Sequence, residues 1–159
     1  MELLLGAGTR RNKVLTLEGL PPDWTDLVTL DFNADHKPDV VHDLNVFPWP
    51  FADNSFDEVH AYEVMEHLGS QGDFKRFFQD FSEIWRILKP GGVFAGILKA
   101  GEDRRDSLGR FYCGIDAQRF RAMLEAAEFT ELDMRDSVGS GYDQVDTPWI
   151  IFAARKATT

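Results

Sequence analysis

The sequence predicts an α/β fold, a mostly parallel β-sheet with helices on its faces, and three observations carry that prediction. Short apolar runs recur along the chain with helical patterns between them. One run, Gly92 to Lys99 ("GVFAGILK"), is apolar without alternation, as in a strand covered on both faces. Phe74, Phe77, Phe78, Phe81, Ile84, Trp85 and Leu88 recur at helical steps and form a single apolar stripe.

Composition bounds what the chain can be. A length of 159 residues fits one domain, and 43% hydrophobic with 28% charged residues argues against disorder. The net charge of -10 gives no support to broad phosphate-backbone binding, so nucleic acid is disfavoured. Cys113 is the single cysteine and cannot form an internal disulfide. His36 and His42, beside Asp31, Asp35 and Asp43, match no ligand spacing, and no metal is expected. No apolar stretch approaches the roughly 20 residues of a membrane span, so no membrane partner is expected. Glu2 followed directly by a strand-like run is not a secretory signal, and a reducing, cytoplasmic location is expected.

Taken in order, the first strand is Leu3 to Leu5, which runs into Gly6-Ala7-Gly8. The segment after it, "TRRNKVLTLEGLPPDWTD", carries Gly19, Pro21 and Pro22, so the crossover is short or irregular. "LVTLDF" (Leu27 to Phe32) is the second strand, "DVVHDL" (Asp39 to Leu44) the third and "FDEVHAY" (Phe56 to Tyr62) the fourth. The long helix is placed for capping by Asp73 and ends at Lys89-Pro90-Gly91, ahead of the fifth strand. A second helix runs from Asp116, an N-cap, through Phe120, Met123, Leu124 and Ala127. "TELDMRD" and "PWIIFAARK" are the closing strands.

Ligands of open parallel sheets sit at the carboxyl ends of strands. Gly6, Ala7 and Gly8 offer backbone N–H groups with little side-chain interference. Asp31, ending the second strand, can accept hydrogen bonds from both hydroxyls of a ribose, and Phe32 offers a face to adenine. Asp43, ending the third, can accept from an adenine amino group. Each alone also fits a plain turn or a solvated carboxylate, and the ordered set is what points to a nucleoside. Arg11 stands where a dinucleotide fingerprint has its third glycine, and no clean helix follows. That argues against a pyrophosphate, and so against a nicotinamide-dependent oxidoreductase. S-adenosyl-L-methionine carries adenine and ribose without one.

The order of "LLLGAG", "TLDF", "DVVHDLNVFPWPFADNSFDEVHAYEVMEHL" and "EIWRILKPGGVF" resembles the class I S-adenosylmethionine-dependent methyltransferases, closest to the short type-11 group (methyltransferase domain 11). The resemblance spans Leu3 to Lys99, and its most specific parts are Phe47 to Phe51, Asp53 to Asp57 and Val64 to Leu68, together with "WRILKPGG". It implies a Rossmann-like, seven-stranded, mostly parallel sheet with an antiparallel last strand and helices on both faces. The expected organisation is a single domain over residues 1–159 that lacks the family's usual N-terminal helices. By the resemblance, Gly6, Ala7 and Gly8 lie against the cofactor's methionine moiety and Asp31 holds the ribose. Phe32, Asp43 and Leu44 face the adenine, while Tyr62, Glu63 and Val64 border the sulfonium and its amino group. The chain departs from the family at Ala7, where Cys is commoner, and at Glu63, where a neutral residue or His is frequent.

Methyl transfer to a nucleophile is an in-line displacement at a carbon the sulfonium already activates. Alignment and exclusion of water come first, and a base is needed only when the acceptor loses a proton. His67 is the candidate general base, because imidazole titrates near neutral pH and the resemblance sets Glu66-His67 beside the methyl site. A structural His67 that bonds a backbone group is the alternative. Arg104, Arg105 and Arg110 are offset by Glu102, Asp103 and Asp106, as in a solvated loop. The expected function is methyl transfer from S-adenosyl-L-methionine, leaving S-adenosyl-L-homocysteine, to an unidentified small-molecule or macromolecular acceptor. The alternative is a catalytically silent binding or scaffold protein that keeps the fold.

Overall fold

The computed structural model describes residues 1–68, 74–109, 111–112, 114–140 and 144–158. The main sheet has seven strands: β1 (Glu2–Leu5), β2 (Leu27–Asp31), β3 (Val40–Val41), β4 (Phe56–Tyr62), β5 (Leu88–Lys99), β8 (Phe129–Ser140) and β9 (Asp146–Lys156). Their spatial order is β3-β2-β1-β4-β5-β9-β8. Strands β1 to β5 pair in parallel, and β9 runs antiparallel to both β5 and β8. The expected mostly parallel sheet with an antiparallel last strand is therefore present. A separate small hairpin joins β6 (Arg104–Arg105) to β7 (Phe111–Tyr112). The chain steps outward from β1 to β3, then returns to β4 on the other side of β1. The crevice at the carboxyl ends of β1 and β4 is thus the topological switch point, where open α/β sheets bind ligands.

Two helices, α1 (Phe74–Ile87) and α2 (Ala117–Ala126), cover one face. Asp116 caps α2 by accepting the Arg119 N–H at 2.7 Å. The expected cap of α1, Asp73, lies outside the described residues, as do Arg110 and Cys113. Phe81, Ile84 and Ile87 of α1 and Phe120 and Leu124 of α2 join Leu3, Leu5, Val59, Phe94 and Phe152 in one buried cluster. Phe120 meets Phe152 edge to face at 4.7 Å.

The expectation of helices on both faces needs correction. Among the described residues no helix covers the opposite face, that of Leu4, His60, Ala95 and Ala153; an irregular strap, residues 9–26, lies there instead. Gly19, Pro21 and Pro22 keep the strap from forming a helix, and Leu15 is its main buried apolar residue, packed with Val93 and Ala95.

Polar groups fasten the strap where apolar ones are few. Glu58, His60 and Tyr62 point to this face from alternate positions of β4. Lys13 Nζ lies 2.8 Å from Glu58 Oε2, and His60 Nε2 lies 2.7 Å from the same oxygen. His60 Nδ1 is 2.7 Å from the Tyr62 hydroxyl, which also accepts the Val14 N–H at 3.2 Å. Burial alone would push the Glu58 carboxyl up, but hydrogen bonds from His60 and Lys13 hold it below its ordinary value. Burial pushes His60 down, with the Glu58 hydrogen bond opposing.

Three of the most specific sequence stretches meet: Arg86 of "WRILKPGG" holds both Phe47 to Phe51 and Asp53. Trp49 is buried and its indole N–H donates to the Leu44 carbonyl at 3.0 Å. Glu83 of α1 accepts the Trp49 backbone N–H at 2.8 Å. Arg86, also on α1, donates to Glu83, Asp53 and the carbonyls of Trp49 and Phe51. The connection from β3 to β4 is thereby docked on α1.

Candidate functional site

The turn after β1 begins the site. Gly6 has φ +57° and Gly8 φ +54°, both in the left-handed region. A Cβ at Gly6 would sit 2.5 Å from a Val64 methyl, so the turn is pressed against the segment after β4. A Cβ at Gly8 would meet nothing within 4 Å, so space is open beside it.

Asp31 closes one side of that space. Its Oδ2 accepts the Gly8 N–H at 2.7 Å and its Oδ1 the Asn33 N–H at 2.8 Å. His36 Nδ1 lies 3.2 Å from Oδ2, near enough for charge attraction but poorly angled for a hydrogen bond. The residue is only 4% exposed, and burial alone would raise its pKa. The N–H groups of Asn33 and Gly8, then His36, nevertheless hold the carboxyl below the ordinary aspartate value. An ionised carboxylate with lone pairs to spare therefore stands at the switch point. Phe32 beside it is 76% exposed, an aryl face open to a ring.

The other expected residues divide. Val41 pairs with Asp31 across β2 and β3, which sets Asp43 and Leu44 just past the neighbouring strand end. Asp43 is exposed and accepts both donors of Asn45, while the Leu44 carbonyl is taken by Trp49. Glu63 is exposed with φ +57°, and Val64 packs on Gly6. Tyr62 sends its hydroxyl to the strap rather than to the crevice. His67 is exposed, on the 3-10 turn Met65–His67, with its ring 4.6 Å from that of Tyr112.

Sequence reasoning took Arg11 only as a missing glycine and Glu66 only as the neighbour of His67, and it passed over Lys99. Arg11 donates to the carbonyls of His36 at 2.9 Å and Lys37 at 2.6 Å, so it ties the strap to the turn that carries His36 beneath Asp31. Glu66 is 1% exposed with no hydrogen-bond partner on either oxygen; burial, with the Glu63 charge acting the same way, pushes its carboxyl up to about 8. Lys99, at the end of β5, is 6% exposed, its ammonium 4.2 Å from the Tyr112 ring centre and 5.3 Å from that of Trp149. An available signal for Glu66 was its setting, an acid within "VMEHL" between Met65 and Leu68.

The residues at the switch point suit a nucleoside: a carboxylate for hydroxyls, an exposed aryl face, and backbone beside open space. No described helix is long and apolar enough to cross a membrane.

Comparison with known proteins bears on the site. Residues 22–96 match a family model described as a methyltransferase domain. Over 45 residues the chain is 49% identical to a sterol 24-C-methyltransferase of Gibberella zeae, a match covering 28% of this chain and 10% of that protein. The chain thus matches a small part of that curated relative. Its fold is similar to a SAM-dependent methyltransferase from Methanosarcina mazei, with TM-score 0.75 at 14% identity over 99% of this chain and 92% of that one. It is also similar to the 1,6-didemethyltoxoflavin-N1-methyltransferase of Burkholderia thailandensis, whose structure has 1,6-didemethyltoxoflavin and S-adenosylhomocysteine bound. There the TM-score is 0.70 at 17% identity, over 98% of this chain and 71% of that one. At such identities the likeness is one of fold.

Proposed function

We propose, on the premise that this chain belongs to the class I type-11 methyltransferases that its residues 22–96 match, that it is an S-adenosyl-L-methionine-dependent methyltransferase. The observation that carries this reading is the 2.7 Å hydrogen bond from Gly8 to Asp31, which joins the glycine turn and the carboxylate at one end of the sheet. When bound, S-adenosyl-L-methionine supplies a methyl group made electrophilic by its sulfonium.

The chain's own residues bind and orient. Asp31 accepts the ribose hydroxyls, Phe32 stacks on the adenine, and Asp43 with Leu44 borders its amino edge. Gly6, Ala7 and Gly8 lie along the methionine part, with Glu63, Val64 and the backbone, not the side chain, of Tyr62 on its other side. His67 stands on the acceptor side as the candidate base, packed against Tyr112. The acidic charge favours an acceptor other than nucleic acid, and the single cysteine suits a reducing, cytoplasmic setting.

Calorimetric titration with S-adenosylhomocysteine tests the reading. Binding is expected in wild type and should weaken about tenfold or more in Asp31→Ala, which removes a charged hydrogen-bond acceptor. A wild-type protein that fails to bind, or an Asp31→Ala variant that binds equally well, overturns it.

A further inference from the structure

Asp31 stands between two segments that burial does little to hold. The 3-10 turn Ala34–His36 buries none of its residues, and the strap that leaves Gly8 forms no helix. Hydrogen bonds tie the two segments together instead. The Gly8 N–H reaches Asp31 Oδ2, and further along the same segments Arg11 Nη2 donates to the His36 and Lys37 carbonyls. The Arg11 carbonyl accepts the Trp24 indole N–H at 2.6 Å, and Asp39 pins the chain beyond the turn to Thr29.

The His36 imidazole completes this frame. Asn33 Oδ1 accepts the Asp35 N–H at 3.0 Å, which leaves Asn33 Nδ2 as the atom 3.3 Å from His36 Nε2. An amide nitrogen donates and does not accept, so Nε2 accepts and the proton of the neutral ring sits on Nδ1. That nitrogen is buried, has no hydrogen-bond partner, and lies 3.2 Å from Asp31 Oδ2.

We propose that Arg11 and His36 are positioning residues for the cofactor's ribose. They hold the Asp31 carboxylate with its unused lone pairs toward the open space beside Gly8, so the affinity supplied by the ribose hydroxyls depends on both. The proposal rests on the methyltransferase reading and specifies how this chain builds its ribose subsite.

The chemistry of the carboxylate supports these roles. Each oxygen accepts one backbone N–H, from Gly8 or Asn33, and keeps a lone pair for a hydroxyl. A hydrogen on His36 Nδ1 attracts Oδ2 from the side of the turn, where a bare nitrogen lone pair would repel it and rotate the carboxylate. Arg11 keeps that ring in place through the backbone that carries it. In a dinucleotide fold a helix begins where Arg11 stands and stiffens the glycine turn. Here a guanidinium shared between two carbonyls braces the turn, as supporting groups brace a binding residue.

Calorimetry with two ligands tests the proposal: S-adenosylhomocysteine and its 2′,3′-dideoxyribose analogue, which keeps adenine and the amino acid but offers Asp31 no hydroxyl. A wild-type chain that fails to bind S-adenosylhomocysteine overturns the methyltransferase reading itself, separately from the frame. In wild type the analogue should bind about tenfold more weakly or worse, because it leaves a buried carboxylate unpartnered. His36→Leu and Arg11→Met should each bring that ratio to about threefold or less, by weakening S-adenosylhomocysteine and not the analogue. His36→Asn, whose side-chain N–H stands where Nδ1–H does, should keep the wild-type ratio. A general structural role would weaken both ligands alike, and that result overturns the proposal. So does a wild-type ratio near one, a ratio unchanged in His36→Leu or Arg11→Met, or His36→Asn behaving as His36→Leu does. Proton–nitrogen correlation spectra of the unmodified chain give a test that needs no variant. The neutral His36 ring should carry its hydrogen on Nδ1, and a hydrogen on Nε2 overturns the proposal.

Discussion

Asp31 shows how one carboxylate can be buried and still charged. Two backbone N–H donors replace the water it loses, and its pKa falls below the ordinary value despite burial. Because the folded value lies below the unfolded one, the stability it contributes is fully present above about pH 4 and is lost as pH falls through the folded value. Affinity for S-adenosylhomocysteine is therefore expected to stay level from about pH 8 to 5 and to decline only below about 4; calorimetry across that range checks it. His60 works in the opposite chemical class with the same sign. Burial depresses its pKa, so below about 6.5 the unfolded chain binds the extra proton and stability drops. Its neighbours Glu58, Lys13 and Glu2 carry the charges that face it. Hydrogen-exchange protection factors in residues 9–26, taken relative to the intrinsic rate at each pH, should fall as pH drops from about 6.5 to 5, with those of the sheet core unaffected. A His60→Gln variant should lose that pH dependence.

Two connections between elements decide whether the site exists. The first is the contact of the glycine turn with the segment after β4. Gly6→Ala places a methyl against Val64 in a left-handed backbone, so S-adenosylhomocysteine binding should fall sharply. Adding Val64→Ala should restore part of it, since the clash is relieved while the positive φ remains. Full recovery in the double variant would show that φ is of no consequence there. The second connection is the clamp of Glu83 and Arg86 on the loop around Trp49. Trp49→Ala should cost about 3–5 kcal/mol in denaturant unfolding, as a large buried side chain does. Arg86→Ala should cost about 1–3 kcal/mol, because it strips several carbonyl and carboxylate partners at once.

At the scale of the whole molecule, the sheet is covered unequally. Helices and a phenylalanine cluster pack one face, while a strap held by buried polar groups covers the other. The strap is tied at one end to the turn beneath Asp31 by Arg11 and at the other to the edge of β1 by Glu2. Ligand binding at the switch point should thus tighten the strap as well as the site. At about a hundredfold excess over the dissociation constant, S-adenosylhomocysteine should raise Tm by roughly 5–10 °C. Protease cleavage within residues 9–26 should slow in parallel. A Tm rise with unchanged cleavage would uncouple strap from site.

The sequence by itself determined the parallel strands, the position of α2's cap, and the ordered set of Gly6, Gly8, Asp31 and Asp43. These are local properties, written as apolar runs, glycines and strand-end carboxylates within a few residues of each other. Only the tertiary structure decided that both helices share a face, that Arg11 braces His36, that Tyr62 belongs to the strap, that Glu66 is buried, and that Lys99 lies against the Tyr112 and Trp149 rings. Burial and pairing depend on what distant segments bring to the same place, and a residue's own neighbours in the chain carry no record of that.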